Sequence, residues 1–589
     1  MNITYITKLE EVQGSLENIM NKPALGMDTE TTGFTPRVAD ISLLQIATDP
    51  ETVYVFNVRK LKDQGQSFDF LYDLLKNEAC VKVMQNAKFD LQFMQKLVGR
   101  RLRVRSLTDT MLASQLLAYG DKSVRHRLSD ISKRELGAVV DKALQSSNFS
   151  GPEFTAEQIL YAAKDAAVVL EIRDKQAVKI TENGLRRVAR IEFDAVMTLA
   201  EMEYRGIYVD PDIWQSRVAH QKARYEELKQ QIFEKWGSVW PVQKLWDEPS
   251  VNLDSPSQML EFLHRLGVMV PSTDEDALIE YQNAHPVMPY ILEYREMETA
   301  KKKFGESYNR FIDTVTGRIH ASFWQMEAPT GRMSSRDPNL MQIPKKSIYR
   351  DAFRAESPQG KMITADYSQI ELRVMARLSK DKALTEAFLN GEDLHSKTAH
   401  LVLGQPLENP DPEIRVIAKN LNFGTAYGTS PATFARLAKI SEREAEKVMK
   451  DYWKVYSGLD LYLTTQGLIA IETGVMRTAS GRIGKHRLDM RDRKNRGRAS
   501  RLGRNFSIQG TGADILKTAL FKVREAFLDA GLEDSYLVNS VHDELLTEAG
   551  SRPELTAEIK EKAMNEAAAV FLDHIPSKVD IRIKDEWSK

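Results

Sequence analysis

Cysteine is nearly absent from this chain of 589 residues: Cys80 stands alone. Without a second thiol no disulfide can form within the chain, which suits a reducing compartment. Long apolar runs are missing too. None approaches the roughly 18 residues of a membrane span, and Met1-Asn2-Ile3-Thr4-Tyr5 lacks the basic start and apolar core of a secretion signal. We therefore expect a cytoplasmic protein with no membrane partner. Nor is there an excess of charge: 82 Lys and Arg against 83 Asp and Glu leave a net −1, which neither favours nor opposes a polyanionic ligand. Internal repeats and low-complexity linkers are lacking as well, while the length predicts several domains with sizeable cores.

What is present is a series of acids at the ends of apolar segments. Leu25-Gly26-Met27 runs into Asp28-Thr29-Glu30-Thr31-Thr32-Gly33, and Ile41 to Ala47 and Val53 to Val58 read as two further strands of one sheet. Asp28 and Glu30, two apart on a strand, share a face. Like charges so placed are unfavourable unless a cation lies between them. Asn86 with Asp90, and Tyr161 with Asp165, are four apart in helical patterns, so each pair shares a helical face. Asp109, in Thr108-Asp109-Thr110-Met111, reads as a helix cap.

In this order the motifs resemble the DEDD superfamily of 3′→5′ exonucleases, in the variant whose third motif carries tyrosine. The resemblance implies a ribonuclease H-like α/β domain over residues 1–185, in which Asp28, Glu30, Asp90 and Asp165 hold two divalent metals and Tyr161 orients the attacking water. Mg2+ is the expected ion, with Mn2+ or Zn2+ as alternatives; hard cations of this kind take oxygen ligands and activate bound water.

The middle, 186–320, reads as long charged helices from Arg186 to Arg205 and from Arg217 to Lys235. Trp236, Trp240 and Trp246 fall in a Pro- and Gly-punctuated stretch; local packing is the plainer reading, a partner surface the sharper one.

Chemistry-bearing residues crowd the last region. Asp366, in Thr364-Ala365-Asp366-Tyr367-Ser368-Gln369-Ile370-Glu371-Leu372-Arg373, ends an apolar strand ahead of a helix. Alone it would be a cap. Its partner is Asp543, at the tip of a hairpin formed by Tyr536 to Val541 and Leu545 to Thr547, with Glu544 adjacent; two such carboxylates can hold a metal pair for in-line phosphoryl transfer. Asp393-Leu394-His395 precedes a helix. In the next one Arg415, Lys419, Phe423 and Tyr427 recur every four residues, a face cationic at one end and aromatic at the other, suited to a triphosphate carrying a flat base. Residues 477–504 are densely basic (Arg477, Arg482, Lys485, Arg487, Arg491, Arg493, Lys494, Arg496, Arg498, Arg501, Arg504), which looks like a polyanion contact. Arg501, Asn505 and Gln509 follow at four-residue spacing.

This region resembles the polymerase part of family A DNA polymerases. The whole chain then reads as an α+β multidomain protein: exonuclease (1–185), thumb (186–320), palm (321–372 and 504–589, an antiparallel sheet) and fingers (373–503), thumb and fingers being helical. By matching positions, Asp366 and Asp543 hold two Mg2+ with Glu544 beside them. Arg415, Lys419, His395 and Gln369 meet the incoming dNTP, Phe423 stacks on it, Tyr427 borders the templating base, and Lys419 protonates the departing pyrophosphate. Arg332, Asn339, Arg501, Asn505 and Gln509 contact primer-template DNA, and His542 touches the primer end. Met341-Gln342 stand where the family more usually has Gln then Asn, so a polar DNA contact from Met341 is not expected. The chain starts almost directly at the exonuclease, and no 5′ nuclease is expected. The sequence leaves the owner open between bacterium, virus and organelle; the protein is expected to be a monomer, with replication accessory proteins as further partners.

Three rivals explain less. An RNase D-like exonuclease with a helical appendage leaves the second acid pair unused. A DNA-binding scaffold with degenerate sites does not account for every motif acid being in place. A single-subunit RNA polymerase is opposed by Glu371, a bulky acid where a ribose 2′-hydroxyl would lie.

Overall fold

The computed structural model describes residues 1–137, 147–240, 251–344 and 348–588, with the side chains of 425 and 426 outside that description. It forms two compact units. The first comprises Met1–Arg205, Ser322–Arg336 and Ile363–Ile583, the second Gly206–Ala321, Asp337–Met362 and Lys584–Lys589.

The first unit opens with a six-stranded mixed sheet of β1 (Asn2–Ile6), β2 (Ala24–Thr31), β3 (Ile41–Asp49), β4 (Thr52–Asn57), β5 (Val81–Met84) and β6 (Leu107–Asp109), in the order β1-β4-β3-β2-β5-β6. β3 shows why it reads as a continuous apolar run: Leu43 and Ala47 face a core shared with the helix Ala156–Glu182, while Leu44 and Ile46 face a second core on the other side. A strand buried on both faces has no solvent side to keep polar. Register pairs Asp28 with Gln45 and Glu30 with Leu43, so both acids project from one face of β2.

A second sheet runs, in spatial order, Tyr536–Val541, Glu544–Ala549, Lys361–Tyr367 and Val579–Lys584. Its first two strands are the expected antiparallel hairpin, with His542 in the left-handed region at φ 56°. The 37-residue helix Arg493–Asp529 and the helix Pro553–Leu572 carry its core together with Ile370–Ser379. The first unit thus holds a six-stranded mixed sheet and a four-stranded sheet backed by long helices.

The helix Arg186–Arg205 lies in the first unit. Its residues from Ala195 to Glu203 are all buried, and Thr198 Oγ1 donates to the Leu520 carbonyl of the long helix at 3.3 Å. Glu201 there is buried between two guanidinium groups, accepting from Arg101 at 2.6 Å and from Arg524 at 3.1 Å. Residues 337–362 fall in the second unit.

In the second unit the long helices Pro211–Trp236 and Met288–Lys303 pack Tyr225, Leu228 and Ile232 into one core with Ile291, Tyr294 and Met297. Trp236 and Trp240 are half-buried against that core; Trp236 meets the Tyr290 ring edge-on at 5.3 Å and Trp240 lies under the Arg265 guanidinium. Both are engaged locally, and Trp246 lies outside the described residues. Among the described residues no helix is long and apolar enough to cross a membrane.

Candidate active sites

The first acid cluster is assembled by close backbone approach. Gly26 sits two residues before Asp28 on the same face of β2, and a Cβ there would lie 2.0 Å from the Ala166 carbonyl oxygen. Only glycine lets the helix Ala156–Glu182 come this near, and Asp165 is the neighbour of Ala166 on that helix. As a result, carboxylate oxygens of Asp28, Glu30 and Asp165 lie within 4.8 Å of one another. Asp90 stands beside this group, buried, with one oxygen accepting from Thr29 Oγ1 at 2.6 Å.

Asp90 starts the helix Ala87–Val98, and Asp109 holds that helix in place. Its two oxygens accept from the backbone N–H groups of Asn86 and Ala87 as well as those of Met111 and Leu112. The expected cap thus serves two helix starts at once.

Crowding shows in the titration. Burial and then the repulsion of Asp90, Asp165 and Glu30 push Asp28 well above the carboxylate range; burial, then Asp165 and Asp90, raise Glu30 to about 8; burial raises Asp90 to about 7 and Asp165 to about 6. The Tyr161 hydroxyl donates to Asp165, while the other Asp165 oxygen is buried without a donor. Hard oxygen donors with too few proton or cation partners fit divalent metal ions.

The second acid pair joins two strand ends. The Tyr367 N–H donates to the Asp543 carbonyl at 3.2 Å, tying the end of the Asp366 strand to the hairpin tip. Burial, then Asp366, raise the Asp543 carboxyl to about 7. This pair, too, fits a cation. Glu544 begins the strand after the tip and is buried.

The stripe of Arg415, Lys419, Phe423 and Tyr427 belongs to the helix Pro412–Ala426 and the turn after it. Arg415 is held at 2.9 Å by Asp393, the N-cap of Leu394–Leu403. Burial alone would raise Asp393, yet its bonds from Arg415 and Ser396 hold it down at about 2. Gln369, left-handed at φ 53° and capping Ile370–Ser379, reaches the same carboxylate at 3.4 Å. His395 is buried, so its pKa falls to about 4 and the ring is neutral at pH 7. Asn422 contacts its Nδ1 at 3.0 Å and uses its own oxygen to accept from Thr398. An amide N–H donating to Nδ1 leaves the imidazole proton on Nε2, available to a ligand. Asn422 lies off the four-residue stripe, and nothing in its spacing marked it. Lys419 is exposed, Phe423 meets the His395 ring at 5.8 Å, and the Tyr427 hydroxyl is buried without a partner.

Thr330-Gly331-Arg332 packs on the long helix through Gly510, where a Cβ would touch the Thr330 carbonyl at 3.0 Å. The Arg332 guanidinium pairs with Glu371. Arg501, Asn505 and Gln509 recur on the long helix, Arg501 exposed and the Asn505 side-chain oxygen buried without a donor. His542 is exposed. Asn339 belongs to the second unit, where its side chain accepts from the Met341 N–H and caps a short turn.

One member of the basic run behaves differently. Arg482 is buried and paired with Glu192 and Asp514, with Lys517 also on Glu192 at 2.6 Å, so it is a core cation rather than a polyanion contact. Most of the other cations in the run are exposed.

The sequence matches the family described as DNA polymerase family A over residues 214–589 and that described as 3′-5′ exonuclease over 3–180. It is 30% identical over 633 residues to the DNA polymerase I of Aquifex aeolicus, covering 100% of both chains. It is 30% identical over 617 residues to that of Pseudomonas aeruginosa, covering 99% of this chain and 64% of the relative. Among solved structures, the "POL domain of Pol1" of M. smegmatis, in complex with DNA primer-template and dNTP, is similar with a TM-score of 0.81 at 28% identity, covering 99% of each chain.

Proposed function

The chain belongs to DNA polymerase family A, with a 3′→5′ exonuclease domain ahead of the polymerase part, and from that premise we propose that it extends a primer by two-metal nucleotidyl transfer and edits the primer end at a second carboxylate site. The observation that carries the reading is duplication: two acid groups on two different sheets, in each of which burial and mutual repulsion raise the carboxyls.

At the polymerase site Asp366 and Asp543, with Glu544 adjacent, would hold two Mg2+; at the exonuclease site Asp28, Glu30, Asp90 and Asp165 would hold two divalent ions. When bound, such ions supply charge neutralisation and a lowered pKa for the attacking oxygen. Every other step falls to side chains. Arg415 exchanges Asp393 for the triphosphate, His395 donates from Nε2 to a phosphate oxygen, and Lys419 protonates the leaving pyrophosphate. Phe423 stacks on the incoming base and Tyr427 borders the templating one. Glu371, half-buried and paired with Arg332, would fill the space a 2′-hydroxyl needs. Arg332, Arg501, Asn505 and Gln509 bind the duplex, His542 touches the primer end, and the exposed cations of 477–504 neutralise phosphates. At the other site Tyr161, held by Asp165, orients the hydrolytic water.

A labelled primer-template incubated with Mg2+ tests this directly. Elongation with deoxynucleotides and shortening without them are expected; failure of either removes the corresponding activity from the reading.

A further inference from the structure

Lys560 lies in the helix Pro553–Leu572, and its side chain is fully buried. Its ammonium donates to the carbonyls of Ile363 and Leu545, each at 2.8 Å. Those two residues sit on adjacent strands of the second sheet: Ile363 three residues before Asp366, Leu545 two residues after Asp543. The charged group that acts on the ammonium is Glu544.

A buried ammonium is costly, and an apolar side chain of similar length would fill this position at lower cost. Satisfying the ammonium with one carbonyl from each acid-bearing strand gives it a geometric function. Each strand is gripped just behind its carboxylate, and the two grips share one nitrogen. Sliding or spreading of either strand breaks a bond that nothing else in a dry core can replace.

We propose that Lys560 is a positioning residue for the polymerase carboxylates, a clamp that sets the separation of Asp366 and Asp543. The proposal rests on the assignment of those two acids to metal binding. Its effect should appear in metal affinity before it appears in anything else, because supports behind metal ligands are typically worth about 10- to 100-fold in affinity.

The test uses the full-length chain carrying Lys560→Met, compared with the unsubstituted chain and with Asp543→Ala. Three quantities are measured: the Mg2+ concentration for half-maximal primer extension, Mn2+ binding by electron paramagnetic resonance, and the exonuclease rate. Expected for Lys560→Met are an Mg2+ midpoint raised about tenfold, Mn2+ binding at the polymerase site weakened by a similar factor, and an unchanged exonuclease rate. An unchanged midpoint and unchanged Mn2+ binding in a folded Lys560→Met protein overturn the clamp. If Asp543→Ala still extends primers, the assignment beneath the proposal fails instead. Should Lys560→Met not fold, Lys560→Gln takes its place under the same criteria, and unfolding of both overturns the proposal, since the lysine then holds the fold and not the spacing.

Discussion

Arg332 and Glu371 form an ion pair at the polymerase site, the guanidinium of a glycine-preceded turn resting on the carboxylate of the first turn of Ile370–Ser379. Burial raises the Glu371 carboxyl and Arg332 opposes that rise. The residue assigned to the duplex and the residue assigned to the sugar therefore hold each other in place.

Glu371→Ala removes both the bulk against the sugar and the partner of Arg332. Ribonucleotide incorporation relative to deoxynucleotide should rise by on the order of a hundredfold, with weaker binding of the primer end. Single-nucleotide extension with each substrate reads this out, and unchanged sugar selection would remove Glu371 from that role.

The two sites should be separable. Asp543→Ala should lower extension by at least about a thousandfold, roughly 4 kcal/mol in the barrier, and leave 3′-end degradation intact; Asp28→Ala with Glu30→Ala should do the reverse. A folded variant losing both activities contradicts two independent centres.

Gly26→Ala places a methyl group against the Ala166 carbonyl. The helix bearing Asp165 must move, at a cost of about 1–3 kcal/mol for overpacking, so exonuclease activity should fall steeply while extension persists. An unaffected exonuclease rate would show that the close approach is not needed.

Stability without metal should fall as pH rises. Glu30 at about 8 and Asp543 at about 7 are raised above their unfolded values near 4, so the folded chain holds more protons than the unfolded one across that window. Their contribution is full below pH 4 and is lost as pH climbs through 7 to 8. In EDTA the melting temperature should drop between pH 6 and 8.5, and added Mg2+ should restore more of it at the higher pH. Calorimetry showing the opposite slope would mean these acids are satisfied without a cation.

Arg482→Met leaves Glu192 and Asp514 without their shared guanidinium in a dry core. A loss of about 3–5 kcal/mol is expected, read as earlier unfolding in denaturant; a surface-like cost below about 1 kcal/mol would be inconsistent with the buried pairing.

The acids that the structure gathers into two groups were legible because each stands at a strand end or on a helical face whose period is written locally. What the sequence did not disclose depends on distant partners. Arg482 is one arginine among many in a basic run, and its pairing with Asp514 and with Glu192, 290 residues away, makes it a core residue. The helix Arg186–Arg205 has the charged look of a solvated thumb helix, yet Glu192 and Glu201 are buried because arginines and a lysine from far along the chain reach them. Nothing in the local spacing marks Gly26 or Lys560. In each case burial is set by a tertiary neighbour, which spacing alone cannot report.

The arginines on Glu201 have one last consequence. Arg101 comes from the exonuclease region and Arg524 from the long palm helix, and both close on the same buried carboxylate. Both acid groups thus belong to one compact unit, tied through this carboxylate. Under the proposed function, a mispaired primer end passes from one group to the other by fraying, so the ease with which its terminal bases melt would be the clock that decides between copying and correction.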